Sequence, residues 1–307
     1  MRILAAPNEL QRGSAPVCLA IGFFDGVHLG HQQILRQALS DARQHEALAV
    51  ALTFDVHPNT IVAPTRVPPL IYSRPQCLRV LAGFGPDALL VLHFDKDLSL
   101  RSGEDFITWL ARELGRLRSV CVGANFVFGH KRSGNVELLR RLGTDLNFTV
   151  HEVAAISLDG KRVSSTRIRE RIAAGALDEA SQMLGRPYSL SGQVVRGDGM
   201  GRQLGFPTAN LDVRGLVLPP NGVYAVHAET GGKQYRAVLN VGQRPTLQSP
   251  NPRLQVEAHL LEFQGDLYGQ EIEVGFVERL RDEQRFNSLT ELRAQIAQDI
   301  RKALQVF

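Results

Sequence analysis

The sequence predicts an α/β half built on a parallel sheet, then an all-β half: a small antiparallel β-barrel with a terminal helix. Three observations carry this. Over residues 17 to about 184, apolar runs of strand length alternate with helical patterns, the rhythm of a parallel sheet with helices on both faces. After "LGRPY" (184–188) the rhythm changes to short strand-like segments broken by Gly, Pro and Asn. At 307 residues the chain is long enough for both. The boundary is expected near residues 183 to 187, separating domains 1–183 and 184–307.

Each element follows from its local pattern. "VCLAIGFF" (17–24), "LAVALTF" (48–54) and "ALLVLHF" (88–94) are continuous apolar runs, as strands covered on both faces require. "SVCVG" (119–123) and "FTVHEV" (148–153) read as further strands. "HQQILRQALSDARQHE" sets Ile34, Leu35, Ala38, Leu39 and Ala42 on one helical face. "SGEDFITWLARELG" opens with Ser102 three residues before Asp105, a capping-box-like start, and Phe106, Ile107, Leu110 and Leu114 form its stripe. In the second half, "YSLSGQVV", "GVYAVHAE", "YRAVLNVG", "RLQVEAHLLEF" and "QEIEVGFVERL" are strand-like. Leu254, Val256, Ala258 and Leu260 share one face of their strand, and Gln255, Glu257 and His259 the other. A final helix from Ser288 carries Leu289, Leu292, Ile296, Ile300 and Leu304.

Composition narrows the partners. Lys and Arg number 21 against 18 Asp and Glu before Gly185, and 14 against 13 after it. So even a balance gives little support to a nucleic-acid or membrane-surface role. Cys18, Cys77 and Cys121 are far apart and lack CxxC spacing, which predicts buried, reduced thiols in a cytoplasmic protein. The opening "MRILAAPNELQRG" holds an apolar run too short for a signal-peptide core. No run approaches the ~20 apolar residues of a membrane span. Small molecules are therefore the expected partners, with no nucleic acid and no membrane. Monomer or weak self-association are both compatible with the sequence.

"GFFDGVHLGH" (22–31) ends the first strand-like run with two imidazoles, His28 and His31, around Gly30. Ligands in open α/β sheets sit beyond the carboxyl ends of the strands. Gly22 and Gly26 permit close backbone approach, and the following helix offers unpaired N–H groups and its positive end. The histidines can then donate to phosphate oxygens. A metal pair and a plain structural turn are the other readings; the metal lacks a nearby Cys, an intervening Glu and an obvious third ligand. "VSSTRIRERI" (163–172) sets Ser164, Ser165 and Thr166 at a helix start with Arg167 and Arg169 just inside. That is an anion site, or an N-cap followed by a solvated basic face. "TFDVHP" (53–58) and "VGANFVFG" (122–129) each follow a strand, where Phe126 and Phe128 can flank a flat ligand or simply belong to the core.

"VVRGDGMGRQLGFPTANL" (194–211) is the most specific string. Gly197, Gly199, Gly201 and Gly205 make a loop able to fold over phosphates, or a bare glycine-rich hairpin. It closes with no GK[ST] and does not fit GxGxxG, so it is neither a P-loop nor a dinucleotide fingerprint. Thr208 and Asn210 present two hard oxygen donors on one face of an extended segment, which suits Mg²⁺ shared with substrate phosphates. Glu257 lies on the polar face of its strand, accessible for proton transfer but also explicable as a solvated residue.

The ordered set "GFFDGVHLGH", "TFDVHP", "NFVFG" and "SSTRIR" resembles the FMN adenylyltransferase module of the prokaryotic bifunctional FAD synthetases. Those modules are nucleotidyltransferases with an HxGH signature and a Rossmann-like fold. "GFPTAN", "NGVYAV" (221–226), "LNVGQRPT" (239–246), "VEAHLL" (256–261), "DLYGQEI" (266–272) and "RLRDEQRF" (279–286) resemble their riboflavin kinase domain. The resemblance runs from about residue 16 to about 305. It implies that His28 and His31 bind ATP phosphates and stabilise the transition state. Gly22, Phe23, Asp25, Gly30 and Asn125 would line the nucleotide site, while Ser164, Thr166 and Arg169 hold the triphosphate. His57, Pro58 and Phe128 would form the flavin pocket. In the kinase half, Gly197, Gly199, Gly201, Gly205, Pro207 and Thr208 would bind ATP, Thr208 and Asn210 would hold Mg²⁺, and Glu257 would be the base. Arg279 or Arg281 would contact flavin.

Three departures from the pattern stand out: Val56 where many relatives carry Pro, Val127 where they carry Arg, and Leu247 where Phe is usual. The implied activities are phosphorylation of riboflavin to FMN and adenylylation of FMN to FAD, both from ATP. One surviving activity, or a flavin sensor without turnover, are the rivals. Intact "HLGH", "SSTRIR", "GFPTAN" and Glu257 speak against both.

Overall fold

The continuous apolar runs become a six-stranded sheet. In this computed structural model, which describes residues 1–10, 15–197, 199–244 and 253–307, strands Arg2–Leu4 (β1), Val17–Ile21 (β2), Leu48–Phe54 (β3), Ala88–Leu92 (β4), Leu117–Gly123 (β5) and Thr149–Val153 (β6) pair in the order β1-β4-β3-β2-β5-β6. All five pairings are parallel. The chain walks outward from β2 to β3 and β4, then returns to place β5 on the other flank of β2. Loops leaving β2 and β5 therefore diverge, and open a crevice at their carboxyl ends. The edge strand β1 is short, with only Leu4 of its three residues buried, and its pattern is too brief to be read from sequence.

Helix Leu29–Gln44 buries Ile34, Leu35, Ala38 and Ala42 as its spacing predicts, while Leu39 of the same face is only half-buried. Helix Gly103–Leu114 starts at Ser102, whose Oγ accepts the Asp105 N–H at 3.0 Å and donates to Asp105 Oδ2 at 2.6 Å. The reciprocal bond thus runs between side chains, since the Asp105 carboxylate takes the hydroxyl proton. Phe106, Ile107, Leu110 and Leu114 are all buried. Among the described residues the three cysteines form no disulfide, but the expectation of burial holds only for Cys18 and Cys121; Cys77 is half-buried. Burial raises the pKa of both Cys18 and Cys121.

One polar cluster joins helix Leu29–Gln44 to the sheet beneath it. The buried Asp41 carboxylate accepts from Ser119 Oγ at 2.6 Å and Gln37 Nε2 at 2.7 Å, and meets His151 Nε2 at 3.1 Å. Asp41 is 4% exposed, so each of these bonds replaces water that cannot reach it.

A short hairpin, Ser157–Leu158 (β7) and Lys161–Arg162 (β8), follows the sheet. Strands Ser189–Val195 (β9), Ala209–Asp212 (β10), Gly222–Thr230 (β11), Lys233–Arg244 (β12), Arg253–Leu260 (β13) and Glu271–Arg281 (β14) then close a barrel in the order β10-β13-β12-β11-β14-β9. Every pairing in it is antiparallel. Val256, Ala258 and Leu260 of β13 face the barrel interior with Leu190, Leu211, Tyr224, Leu239 and Ile272. Gln255, Glu257 and His259 face outward, as the alternation predicts. The Leu254 side chain and residues 245–252, which include Leu247 and the end of "LNVGQRPT", lie outside the described residues.

Helix Leu289–Val306, capped by Ser288, covers part of the outer face. Its predicted stripe needs correction, because Leu289 and Leu304 are 62% and 44% exposed while Ala303 is buried. At about 100° per residue, Leu304 has turned roughly 120° away from Leu292, whereas Ala303 returns to within about 20° of it. Ala303 packs with Val223, Ala225 and Val238, joined by Ile300 and Val306.

By contacts the chain separates into Met1–Pro68 with Arg74–Ser165, and Pro69–Ser73 with Thr166–Phe307. In the second unit Leu70 pairs with Leu216.

Replacing Asp41 by Ala strands the Ser119 hydroxyl and the Gln37 amide. Urea unfolding is expected to show a loss on the order of 2 kcal/mol.

Candidate active sites

The first unit holds a cavity of about 1150 Å³ at the switch point. Its head is set by the turn between β2 and helix Leu29–Gln44. There Val27, fully buried, adopts φ 42°, a left-handed conformation costing a β-branched residue on the order of 1–3 kcal/mol. Gln32 Nε2 holds its carbonyl at 3.0 Å. His28 is the N-cap: its Nδ1 accepts the His31 N–H at 3.3 Å. That bond leaves the proton of the neutral His28 ring on Nε2. The two imidazoles stack with centroids 3.6 Å apart and planes 17° apart. A Cβ at Gly30 would sit 3.2 Å from His28 Cε1, so the intervening glycine keeps the ring where it is.

Gly22, Phe23, His28, Gly30, His31, Pro58, Asn125, Phe128 and Ser164 all line this cavity. Phe126 and Phe128 stack at 5.1 Å with planes 20° apart. His57 stands behind the wall, its ring edge-on to Phe23 at 4.7 Å and its Nδ1 accepting the Asn59 N–H. Asp25 is buried outside the lining; its carbonyl accepts from Ser165 Oγ at 3.1 Å. Thr166 and Arg169 belong to the second unit, in helix Ser165–Ala173, where Arg169 Nε donates to the Pro69 carbonyl at 2.6 Å. Sequence reasoning missed the cations of the wall. Lys96, Arg101, Lys131, Arg132 and Arg162 line it, and no Asp or Glu does so among the described residues. Such a cavity favours a polyanion over a free metal ion.

At the foot of the "TFDVHP" loop, Asp55 takes the Phe94 N–H at 2.9 Å and pairs with His93 Nδ1 at 2.5 Å, tying the ends of β3 and β4 together. Burial pushes the Asp55 carboxyl up, but the bonds from His93 and Phe94 outweigh it and lower its pKa. The bond to Asp55 holds the His93 ring above its usual range.

The second unit holds a cavity of about 400 Å³ between the outer face of the barrel and the terminal helix. Asn210 of β10 and Asn240 of β12 both pair in register with Glu257 of the intervening β13. The three side chains therefore form a row across three strands, and all three line the cavity with Thr208, Gly199, Gly201 and Arg281. A Cβ at Gly197 would lie 2.3 Å from Asn210 Nδ2, so any side chain there would push that amide aside. Gly205 follows the helical turn Met200–Leu204 as its left-handed C-cap. Arg281 makes a bidentate pair with the buried Asp299 of the terminal helix, at 2.8 to 3.0 Å. Gln295 Nε2 also donates to that carboxylate at 2.9 Å. Arg279 lies outside the lining, bound to the Asn221 carbonyl at 2.7 Å and paired with Asp282. His259, Glu283 and Asp299 are wall residues that sequence reasoning left unassigned.

Among the described residues no group of three or more His, Cys, Asp or Glu is placed to hold a metal ion. Thr208 and Asn210 beside Glu257 instead suit an oxygen-seeking cation that takes its remaining ligands from phosphate and water. No helix of the described residues is long and apolar enough to cross a membrane.

A Rossmann-like sheet with an HxGH pair at its switch point, followed by a closed barrel with a PTAN–Glu row, defines a nucleotidyltransferase-type domain joined to a riboflavin kinase-type barrel. Residues 10–167 match the FAD synthetase family, and residues 184–307 match the riboflavin kinase family. The bifunctional riboflavin kinase/FMN adenylyltransferase of Escherichia coli K12 is 37% identical over all of this chain and 98% of its own length. The Pseudomonas fluorescens protein of that description is 36% identical over 93% of this chain and 92% of its own. A solved Streptococcus pneumoniae structure described as a macrolide-efflux protein is 28% identical, with a TM-score of 0.81 over 98% of each chain. The chain belongs to the bifunctional riboflavin kinase/FMN adenylyltransferase family.

The raised His93 pKa has a defined sign. Its contribution to stability is complete below the ordinary histidine pKa of about 6.5 and fades as pH rises through the raised value. The Asp55 contribution is present above the ordinary carboxylate range and fades as pH falls through its lowered value. An NMR titration is expected to place the His93 midpoint above about 6.5, and Asp55→Asn to return it toward that value.

Proposed function

We propose that the barrel phosphorylates riboflavin with ATP to give FMN, and that the α/β domain joins AMP from ATP to FMN, giving FAD and pyrophosphate. One observation supports this reading: His28, His31, Asn125, Phe128 and Ser164 line one cavity within the first unit, and Thr208, Asn210 and Glu257 line another within the second. The catalytic domains are assigned to residues 1–183 and 184–307, in a cytoplasmic protein with small-molecule partners.

In the adenylylation step, an FMN phosphate oxygen attacks the α-phosphorus of ATP and pyrophosphate leaves in line. Little covalent chemistry falls to the protein; it must position the groups and offset the charge. His28 donates from Nε2, and His31 adds a second donor held parallel to it. The cations of the wall balance the triphosphate without a competing carboxylate. Phe126 and Phe128 offer a face for the flavin ring, with Pro58 beside it. Ser164 of the same wall would grip the triphosphate.

In the phosphorylation step, Glu257 takes the proton of the riboflavin 5′-hydroxyl as that oxygen attacks the γ-phosphorus, and ADP leaves. Thr208 Oγ1 and Asn210 Oδ1 would hold Mg²⁺ with the ATP phosphates, and the bound ion would supply charge neutralisation. The glycine-rich segment before them would cover the phosphates. Of the two arginines, Arg281 is the better placed to meet flavin, since it lines the cavity.

Incubation with riboflavin, ATP and Mg²⁺, followed by separation of the flavins, is expected to yield FMN and then FAD. FMN alone, FAD only from added FMN, or no product would each defeat the bifunctional reading.

Glu257→Ala is expected to lower riboflavin phosphorylation by roughly 10²- to 10⁴-fold while adenylylation of supplied FMN continues. His28→Ala is expected to lower adenylylation by roughly a hundredfold or more, so that FMN accumulates. Gly30→Ala, which displaces the His28 ring, is expected to lower the same step by roughly ten- to a hundredfold with phosphorylation unchanged.

A further inference from the structure

The ladder between β10 and β13 runs through Asn210–Glu257 and Ala209–Ala258. Next toward the glycine-rich segment comes a side-chain tie: His259 Nδ1 bonds the Pro207 carbonyl at 2.7 Å. A carbonyl oxygen only accepts, so the ring carries its proton on Nδ1. The Phe206 ring stands edge-on to the same imidazole at 5.8 Å. Phe206 N–H in turn donates to the Gly201 carbonyl at 2.8 Å, closing the turn Met200–Leu204. A Cβ at Gly201 would lie 3.0 Å from Thr208 Oγ1, so the turn lies directly against the threonine. His259 thus meets the chain where it passes from the glycine-rich turn into the strand bearing Thr208 and Asn210. It shares the outward face of β13 with Glu257, two residues away, and lines the same cavity.

We infer that His259 is a positioning residue for riboflavin phosphorylation. Its bond to Pro207 fixes where the glycine-rich segment leaves the barrel, and so sets Thr208 and the turn against Asn210 and Glu257 for Mg²⁺-ATP. Its role is in holding the nucleotide, and proton transfer stays with Glu257. The inference rests on the kinase reading of this cavity.

The test compares the full-length wild type, His259→Ala and His259→Asn in one phosphorylation assay with riboflavin, ATP and Mg²⁺. Asparagine can place an amide N–H where Nδ1 stands. The alanine variant is expected to show an ATP KM raised roughly three- to tenfold, the worth of one neutral hydrogen bond, with the riboflavin KM unchanged. Trypsin is expected to cut faster after the exposed Arg202 of its turn, and asparagine to bring both readouts back toward wild type. An unchanged ATP KM with alanine overturns the inference. So does an asparagine variant as impaired as the alanine one, or a loss confined to kcat. Should the alanine chain fail to fold by circular dichroism, His259→Gln replaces it: a raised ATP KM with Gln but not Asn supports the inference, and equal values overturn it. A wild type that forms no FMN defeats the kinase reading itself, and the tryptic rates then decide by themselves whether His259 holds the turn.

Discussion

The hydrogen bond from the His31 N–H to His28 Nδ1 is the constraint on which the first site depends. It caps helix Leu29–Gln44, sets the protonation of one imidazole and holds the other ring parallel at 3.6 Å. A capping bond of this kind is worth about 1 kcal/mol to a helix, yet its larger effect here is geometric. The strained Val27, the carbonyl grip of Gln32 and the missing side chain at Gly30 all serve the same junction. At the far end of the helix, Asp41 ties it to Ser119 of β5 and His151 of β6. The imidazoles therefore stand on a helix fixed at both ends, and the two strands on the β5 side of the crevice hold its far end.

The second site is organised by strand register. Because Asn210, Glu257 and Asn240 are direct cross-strand partners, their spacing follows from the ladder itself. A shift of one residue in β13 would turn Glu257 into the barrel core and Val256 or Ala258 out toward the cavity. The apolar alternation that fills the barrel thereby places the carboxylate, and core packing and chemistry are set by one pattern.

Much of this was legible in the sequence, for identifiable reasons. Strands β2 to β5 read clearly because burial on both faces demands unbroken apolar runs, and Ser102 announced its helix through its cap. The strand β1 did not, since three residues with one buried leucine carry no period. The cations of the first cavity were hidden by their origin: Lys96, Arg101, Lys131 and Arg162 come from widely separated segments, while net charge over the whole half is nearly even. Asp41 carries no signal in the sequence, because its partners Ser119 and His151 lie on strands far along the chain. His259 showed its face but not its partner, because side-chain to carbonyl bonds leave no periodic trace. The terminal helix misled for a simpler reason, as leucine at position 304 is more conspicuous than the alanine at 303 that faces the barrel.

The pair between Arg281 and Asp299 also makes the second cavity depend on a segment outside the barrel. Arg281 closes the last strand of the barrel, and the carboxylate that neutralises it arrives 18 residues later, with Leu292, Ile296 and Ile300 of the same helix finishing the cavity wall. The barrel ladder by itself therefore leaves the cavity without one side and this guanidinium without its carboxylate. The lining of the second cavity is complete only at Ile300, whereas that of the first is complete at Ser164. The two linings are thus completed along the sequence in the reverse order of the flavin chemistry proposed for them.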